Sequence, residues 1–398
     1  MTETKPKNSF LTKISLIGKG KGSRDVIYGV YDNKKDNLFT RLNDFFIDHS
    51  SVKLKEKSYF FHMLAVMVDA GIPVVTALRA FASRTGNERF ARVLKTVAYN
   101  SEHGMSLSDS MSRFLGVFDE VEIGVIKSGE AVGQLGPMLF KLSNQVGRAH
   151  ELRMKLWAAA FYPFAVLGTL LFVAVGMLVW VFPTLLNLLE EGGVATADLP
   201  LSTRILMFAQ TAVVDYWWII LLVVGGFYGL FKVYTSTIRG EEWWDYVKLR
   251  IPVAGVLLRR VYVLQFISLL GVLIESGLPV IQSLEITANS IPNAIFKLKI
   301  RDIISVVQDG AKISDSMSDT QFLFPPEIIE MVRVGEKSAA LGQVSEKIST
   351  QYQAEIDHSL KKLTSVFEPL MILLVGLFVG VLALAIMAPI FNLSSVVS

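Results

Sequence analysis

The chain has 398 residues, a formal net charge of +3, 52% apolar residues and a mean hydropathy of +0.45. So small a charge removes the electrostatic case for direct nucleic-acid binding, and no basic stripe interleaved with aromatics replaces it. With no cysteine in the chain, disulfides, thiolate zinc sites and cysteine nucleophiles are excluded.

Residues 1–57 read as a basic flexible segment with a short amphipathic helix. Lys5 to Arg24 is basic and glycine-containing, a composition that stays unfolded and suits anionic headgroups. Leu38, Phe39, Leu42, Phe45 and Phe46 then form one apolar face, which would dock on the adjoining bundle or on a partner. No apolar core follows the first lysines, so no secretory signal is expected and the N-terminus is placed in the cytoplasm. Gly18-Lys-Gly-Lys-Gly-Ser23 fits neither the G-x-x-x-x-G-K-[ST] nor the G-x-G-x-x-G frame, and is read as tail rather than as a nucleotide loop.

Residues 58–155 read as a first cytoplasmic helical bundle. Tyr59 to Asp69 is apolar and closed by Gly71, with Pro73 opening the next helix at its first position. Asn87 to His103 carries Phe90, Val93, Leu94 and Val97 on one face and stops at Gly104. Ser106 or Ser108 is expected to cap a short helix through Arg113, and a helix from Asp119 to Ser128 to follow. The Gly129-Glu130 step is expected to be a turn, its carboxylate at the positive end of the next helix. That helix starts at Leu135 and runs on into the membrane.

From residue 156 to 189 no charge occurs, more than the ~20 apolar residues a crossing needs. This is the first transmembrane helix. Residues 190–215 form an extracytoplasmic connection carrying Glu190, Glu191, Asp198 and Asp215 against Arg204 alone. Residues 216–238 are a shorter second span, with Lys232 able to snorkel from its end. Residues 239–362 hold a lead-in and a second cytoplasmic helical bundle, and residues 366–391 the third span. Arg148, Arg153, Lys155, Arg239, Lys248, Arg250, Lys361 and Lys362 crowd the opposite ends of the spans. By the positive-inside rule both bundles then face the cytoplasm of a multi-pass protein.

The two bundles are one unit used twice. Ala70-Gly-Ile-Pro-Val74 recurs as Ser276-Gly-Leu-Pro-Val280, a spacing of 206, and Ser108-Asp-Ser-Met-Ser112 recurs unchanged at Ser314 to Ser318. In the same register Phe118 pairs with Phe324, Gly129-Glu130 with Gly335-Glu336, and Pro163 with Pro369. Each copy ends in a span leaving the cytoplasm, so the middle span is required to bring the chain back. The expected fold class is an all-α membrane protein: two repeated cytoplasmic helical bundles, each followed by a transmembrane helix, with a third transmembrane helix between them.

No catalytic, cofactor-binding or metal site is legible. The five histidines lack paired ligand spacing, and no nucleophile elbow occurs. Glu368, where the last helix enters the membrane, reads as an interfacial carboxylate near Lys361 and Lys362; its counterpart is Tyr162. A small-solute transporter or channel is the alternative, opposed by three spans, parallel repeats and the missing intramembrane charge. A membrane-bound enzyme is opposed by the missing motifs.

The motifs A-G-[IL]-P-V, S-D-S-M, G-E and L-G, followed by a span opening on [FY]-x-P or E-P, resemble those of the type II secretion system F protein family over about residues 58–392. The resemblance implies an inner-membrane platform protein of type II secretion or type IV pilus machines, without enzymatic activity or cofactor. It implies as partners a cytoplasmic hexameric assembly ATPase, pilin or pseudopilin subunits, other inner-membrane assembly proteins and further copies of itself. The positions carried over as structural or coupling motif are Gly71, Pro73, Gly129, Glu130, Pro163, Gly277, Pro279, Gly335, Glu336, Glu368 and Pro369. One departure stands out: Ala131-Val-Gly133 follows the first Glu but Lys337-Ser-Ala339 the second, so the second turn lacks its glycine.

Overall fold

The computed structural model describes residues 27–28, 47–48, 50–184, 187, 201–252 and 254–396. The apolar face from Leu38 to Phe46, the Gly18–Ser23 stretch and residues 190–200 of the 190–215 connection lie outside them. Every regular element among the described residues is helical, as the absence of alternating strand patterns led one to expect.

In the first copy, α1 (Leu54–Asp69), α2 (Val74–Ala82), α3 (Glu88–Glu102), α4 (Leu107–Met111) and α5 (Glu120–Val132) lead into α6 (Leu135–Gly176). Then come α7 (Leu201–Val214), α8 (Trp217–Thr235) and α9 (Ile238–Arg250). The second copy comprises α10 (Ala254–Glu275), α11 (Val280–Ser290), α12 (Ala294–Gln308), α13 (Ile313–Ser318), α14 (Pro326–Lys337) and α15 (Leu341–Val396). The starts of α3, α4, α5 and α6 recur 206 residues on as those of α12, α13, α14 and α15. The sequence register is therefore the structural register.

The stops and starts have local causes. Asn87 and Asn293 accept from the amides of Phe90 and Phe296, both at 3.1 Å, capping α3 and α12. Ser106 caps α4 through the Asp109 amide at 3.0 Å, and α4 ends at Met111, passing into a short 3-10 turn rather than continuing to Arg113. Asp119 and Glu122 form a reciprocal capping box on α5. At the end of α1, Gly71 takes φ +81° while the Ile72 amide bonds the Met67 carbonyl and the Gly71 amide that of Val68, both at 2.9 Å. With the Ala70 amide on the Val66 carbonyl, that pairing satisfies three carbonyls of the last turn. Gly277 does the same at φ +91°. Pro73 and Pro279 sit one residue earlier than expected, at the N-caps of α2 and α11.

The chain divides into two compact units, Met1–Arg153 with Arg259–Gln353, and Met154–Leu258 with Ala354–Ser398. The first unit holds both bundles. In the first bundle Phe60, Phe81, Phe90 and Phe118 form an aromatic cluster, Phe60 standing edge-on to Phe81 at 5.1 Å and to Phe90 at 5.2 Å. The second bundle repeats three of these rings as Phe266, Phe296 and Phe324, with centroids at 5.3 and 5.7 Å. Tyr28 and Asp48 tie the N-terminal segment to the first bundle. The Tyr28 amide donates to Thr96 at 3.0 Å, its hydroxyl donates to Asp48, and Arg92 lies 3.7 Å from Asp48. Burial, with the Asp48 carboxylate, drives the Tyr28 phenol above its ordinary pKa.

The second unit carries most of the exposed apolar side chains. Among the described residues four helices are long and apolar enough to cross a membrane: Leu135–Thr184, Trp217–Thr235, Ala254–Glu275 and Leu341–Leu384. Ala254–Glu275 differs from the rest: 44% of its most apolar window is buried, against 0%, 0% and 6%. Its Val263, Phe266, Ile267 and Leu270 fill the second bundle, as α1 fills the first. The other three leave Phe172, Trp180, Leu222, Phe227 and Leu377 at least 65% exposed, an apolar expanse far beyond what an aqueous surface carries. Alpha-helix α8, at ~1.5 Å per residue, is about 28 Å long and matches a hydrocarbon core of about 30 Å. Beyond it Thr237 caps α9, and Phe231 meets Trp244 edge-on at 4.9 Å. Helix α7, unexpected from the sequence, lies against the π-helical turn Met177–Val181 that ends the first apolar segment.

Candidate functional site

The repeated Gly-Glu step is where sequence and structure part company. Gly129-Glu130 and Gly335-Glu336 lie inside α5 and α14, not in turns between helices. The turns come later, at Gly133 with φ +71° and at Ala339 with φ +50°. Nor does either carboxylate serve the next helix. Glu130 reaches back to the N-terminus of α4, accepting from the amides of Leu107 at 2.5 Å and Ser108 at 3.0 Å, and from the Ser108 hydroxyl at 2.6 Å. Glu336 accepts likewise from Ile313 at 2.6 Å and Ser314 at 3.0 Å. The physical logic is that expected of a carboxylate at a positive helix end, but the helix is the preceding one.

The glycines explain their own half of the motif. A β-carbon on Gly129 would lie 3.0 Å from Met138 Cγ and 3.3 Å from the Leu135 backbone; one on Gly335 would lie 3.2 Å from Leu341 Cα. Each glycine lets the long helix start flush against the helix that carries the Glu. Gly-Glu thus ties three helices together in each copy: one by close approach and one by a charged cap.

A second constellation joins the two bundles inside the first unit. Lys141 Nζ donates to Glu275 at 2.9 Å, Ser268 to Gln145 at 2.7 Å, Ser128 to the Ser276 carbonyl, Asn289 to Glu120 at 3.0 Å, and Arg148 to Glu346 at 2.5 Å. Gly124 faces Ile286, whose Cδ1 would lie 3.2 Å from a β-carbon there. Leu269 and Leu273 of α10 join the core of the first bundle. In the second unit Lys155 pairs with Asp357 at 2.7 Å.

Lys57 and Glu122 form a buried ion pair at 2.7 Å, their side chains 7% and 2% exposed. Desolvation pushes the Glu122 carboxyl up to about 7, against the pull of Lys57. The repeat marks this pair by its absence from the second copy: 206 residues on from Lys57 and Glu122 stand Val263 and Ile328.

The remaining motif positions do not converge. Pro163 lies within α6, and Glu368 and Pro369 are exposed on α15.

Comparison with known proteins agrees with this duplication. The family model for type II secretion system (T2SS), protein F matches residues 60–183 and again 266–389, two stretches offset by the same 206. The chain is 29% identical over 345 residues to the type IV pilus assembly protein PilC of Thermus thermophilus, covering 87% of this chain and 84% of that one. It is 30% identical over 336 residues to the type II secretion system protein F of Pseudomonas aeruginosa, covering 84% and 82%. It is 26% identical over 363 residues to a protein transport protein HofC homolog of Haemophilus influenzae, covering 87% and 86%. With both family domains present in register, the chain belongs to the type II secretion system F protein family.

Proposed function

We propose that this chain is an inner-membrane platform of a type IV pilus or type II secretion machine, coupling a cytoplasmic hexameric ATPase to the extraction and polymerisation of pilin or pseudopilin subunits. The observation that carries the reading is the pair of family domains spanning most of the chain, shared with relatives named for pilus assembly and for type II secretion.

The construction supports a mechanical role. Each bundle passes without a break into a long helix, 42 residues in α6 and 56 in α15. A displacement of the bundle is then carried along the continuous helix into the apolar segment, where a hinge would absorb it. The Glu130 and Glu336 caps belong to this rigidity: they lock α5 and α14, on which the long helices rest, to α4 and α13. In this reading their role is structural, and the ATPase meets another surface of the bundles. Both bundles and the N-terminus stand on the cytoplasmic side, three helices cross, and the protein neither binds nor hydrolyses ATP.

The test is genetic and biochemical. A deletion strain should make, process and retain pilin or pseudopilin in the membrane while losing surface filaments or secretion. The purified full chain should show no ATP turnover and should co-purify with the assembly ATPase. Normal filaments and secretion in the deletion strain, or hydrolysis by the pure chain, would overturn the reading.

A further inference from the structure

The contact between the bundles is head-to-tail. The first copy presents α5 and the start of α6, with Gly124, Ser128, Lys141 and Gln145. The second copy presents a different face, α10 and α11, with Ser268, Glu275, Ser276 and Ile286. Because the copies share a fold in one register, each also owns the face it does not use here. The second copy has its own α14–α15 face, and the first its own α1–α2 face.

Both spare faces are open. On the first copy Val66 is 48% exposed and Ile72 is 37% exposed, whereas their counterparts Val272 and Leu278 pack against the first bundle's core. On the second copy Val334, the counterpart of Ser128, is 60% exposed.

The spare faces also match each other. The Lys141–Glu275 pair maps onto Lys347 and Asp69, a cation and an anion again. Gln145–Ser268 maps onto Gln351 and His62, still able to hydrogen-bond. The polar Ser128–Ser276 contact maps onto Val334 and Ala70, apolar on both sides. Where small Gly124 admits large Ile286, the spare pair is large Glu330 against small Ala80. Glu120–Asn289 loses its bond, becoming Pro326 and Ser83, and Arg148–Glu346 loses its ion pair, becoming Ala354 and Phe140, with no repulsion in either place. A face left to solvent has no reason to keep a charge opposite to that of a distant one, or to change together with it in polarity and size.

We propose that a second copy of this chain sets its α1–α2 face on the α14–α15 face of the first, repeating between chains the contact that the two bundles make within one. Such a heterologous contact leaves one donor and one acceptor face free, so it builds a row that ends only by closing into a ring. The inference stands on the repeat geometry and holds whether or not an ATPase engages the bundles.

The chain has no native cysteine, which makes the test direct. Two differently tagged full-length forms, Asp69→Cys and Lys347→Cys, are co-expressed, purified in detergent and treated with a short bis-maleimide. The mixture should give a dimer carrying both tags, neither variant alone should cross-link, and the double variant should give a ladder beyond dimer. Adding Val66→Glu should cut the mixed-tag dimer by about tenfold, equivalent to ~1.4 kcal/mol of association, with unchanged elution of the uncross-linked chain. Self-cross-linking of either single variant would mean an isologous contact and overturn the proposal. So would a monomer whose thiol at position 69 resists a small maleimide, since another segment of the chain would then cover the face. An undiminished dimer with Val66→Glu would overturn the assignment of the α1–α2 face.

Discussion

The two bundles share a backbone but solve the same interior problem in opposite ways. In the first, α1 and α5 meet through the buried Lys57–Glu122 ion pair; in the second, α10 and α14 meet at the same place through Val263 and Ile328, 0% and 1% exposed. Removing two charges from water costs several kcal/mol each, and their attraction returns that only with good geometry and satisfied remaining valences. Here one Glu122 oxygen accepts from the Asp119 amide at 3.1 Å, while the other lies 2.7 Å from Lys57 Nζ as an ion pair without hydrogen-bond geometry. The second copy shows that the fold itself needs neither charge. The pair is therefore a property added to the first bundle and not a requirement of the architecture.

The largest effects should come from breaking this difference. Glu122→Ala leaves Lys57 buried without its partner and should cost about 3–5 kcal/mol. Replacing both residues by those of the second copy, Lys57→Val with Glu122→Ile, should be neutral or stabilise by up to about 4 kcal/mol. Urea unfolding of the full chain in detergent reads both. The pH dependence has a definite sign. The folded carboxyl, at about 7 against an ordinary 4.5, holds its proton more tightly than the unfolded one. Its contribution is fully present below pH 4.5 and is lost as pH rises through 7. The double variant should lack that decline; an identical slope in both proteins would show that another group titrates.

A middle-sized effect separates the two Glu caps. Ser108 donates its hydroxyl to Glu130, whereas the buried Ser314 hydroxyl has no hydrogen-bond partner among the described residues. Ser108→Ala should therefore cost about 1–2 kcal/mol, as a bond to a charged acceptor is lost. Ser314→Ala removes an unpaired buried hydroxyl and should be neutral or slightly stabilising. Equal losses in thermal unfolding of the two variants would mean that Ser314 also bonds its Glu. A Ser108→Ala chain that still assembles filaments would agree with the caps being structural.

What could be read from the sequence was whatever depends on near neighbours. The caps at Asn87 and Asn293, the stops at Gly71 and Gly104 and the uncharged run after Lys155 are set within a few residues, and a fixed register doubled every such signal. What escaped depends on contacts far apart in the chain. Nothing near Glu130 shows that its carboxylate closes a helix 22 residues upstream, so a generic turn was the natural reading. Hydropathy alone makes Ala254–Glu275 as apolar as a span, and only its place opposite Phe296 and Phe324 shows that a bundle buries it. The inter-bundle face was invisible because Lys141, Gln145 and Glu275 look like ordinary solvated helix residues. The ion pair is legible in the repeat only as a difference between its copies, Lys57 and Glu122 against Val263 and Ile328.

The smallest expected effect tests the one turn at which the copies differ in backbone chemistry. After α5, Gly133 adopts φ +71°, and the Gln134 amide bonds the Gly129 carbonyl at 2.9 Å. After α14, Ala339 is held at φ +50° while the Ala340 amide bonds the Gly335 carbonyl at 3.0 Å. The same left-handed turn is thus made with and without a β-carbon. That carbon approaches the following carbonyl and costs about 1–2 kcal/mol. Glycine would relieve this but would lose about 0.4–1 kcal/mol more than alanine to the freedom of the unfolded chain. Ala339→Gly should therefore stabilise by about 0.5 kcal/mol, and Gly133→Ala should destabilise the first bundle by about the same. Opposite shifts in melting temperature, measured on the full chain in one detergent, are the expected result. If Ala339→Gly lowers the melting temperature instead, the alanine methyl makes contacts that outweigh its strain, and the two turns are not equivalent despite their matching hydrogen bonds.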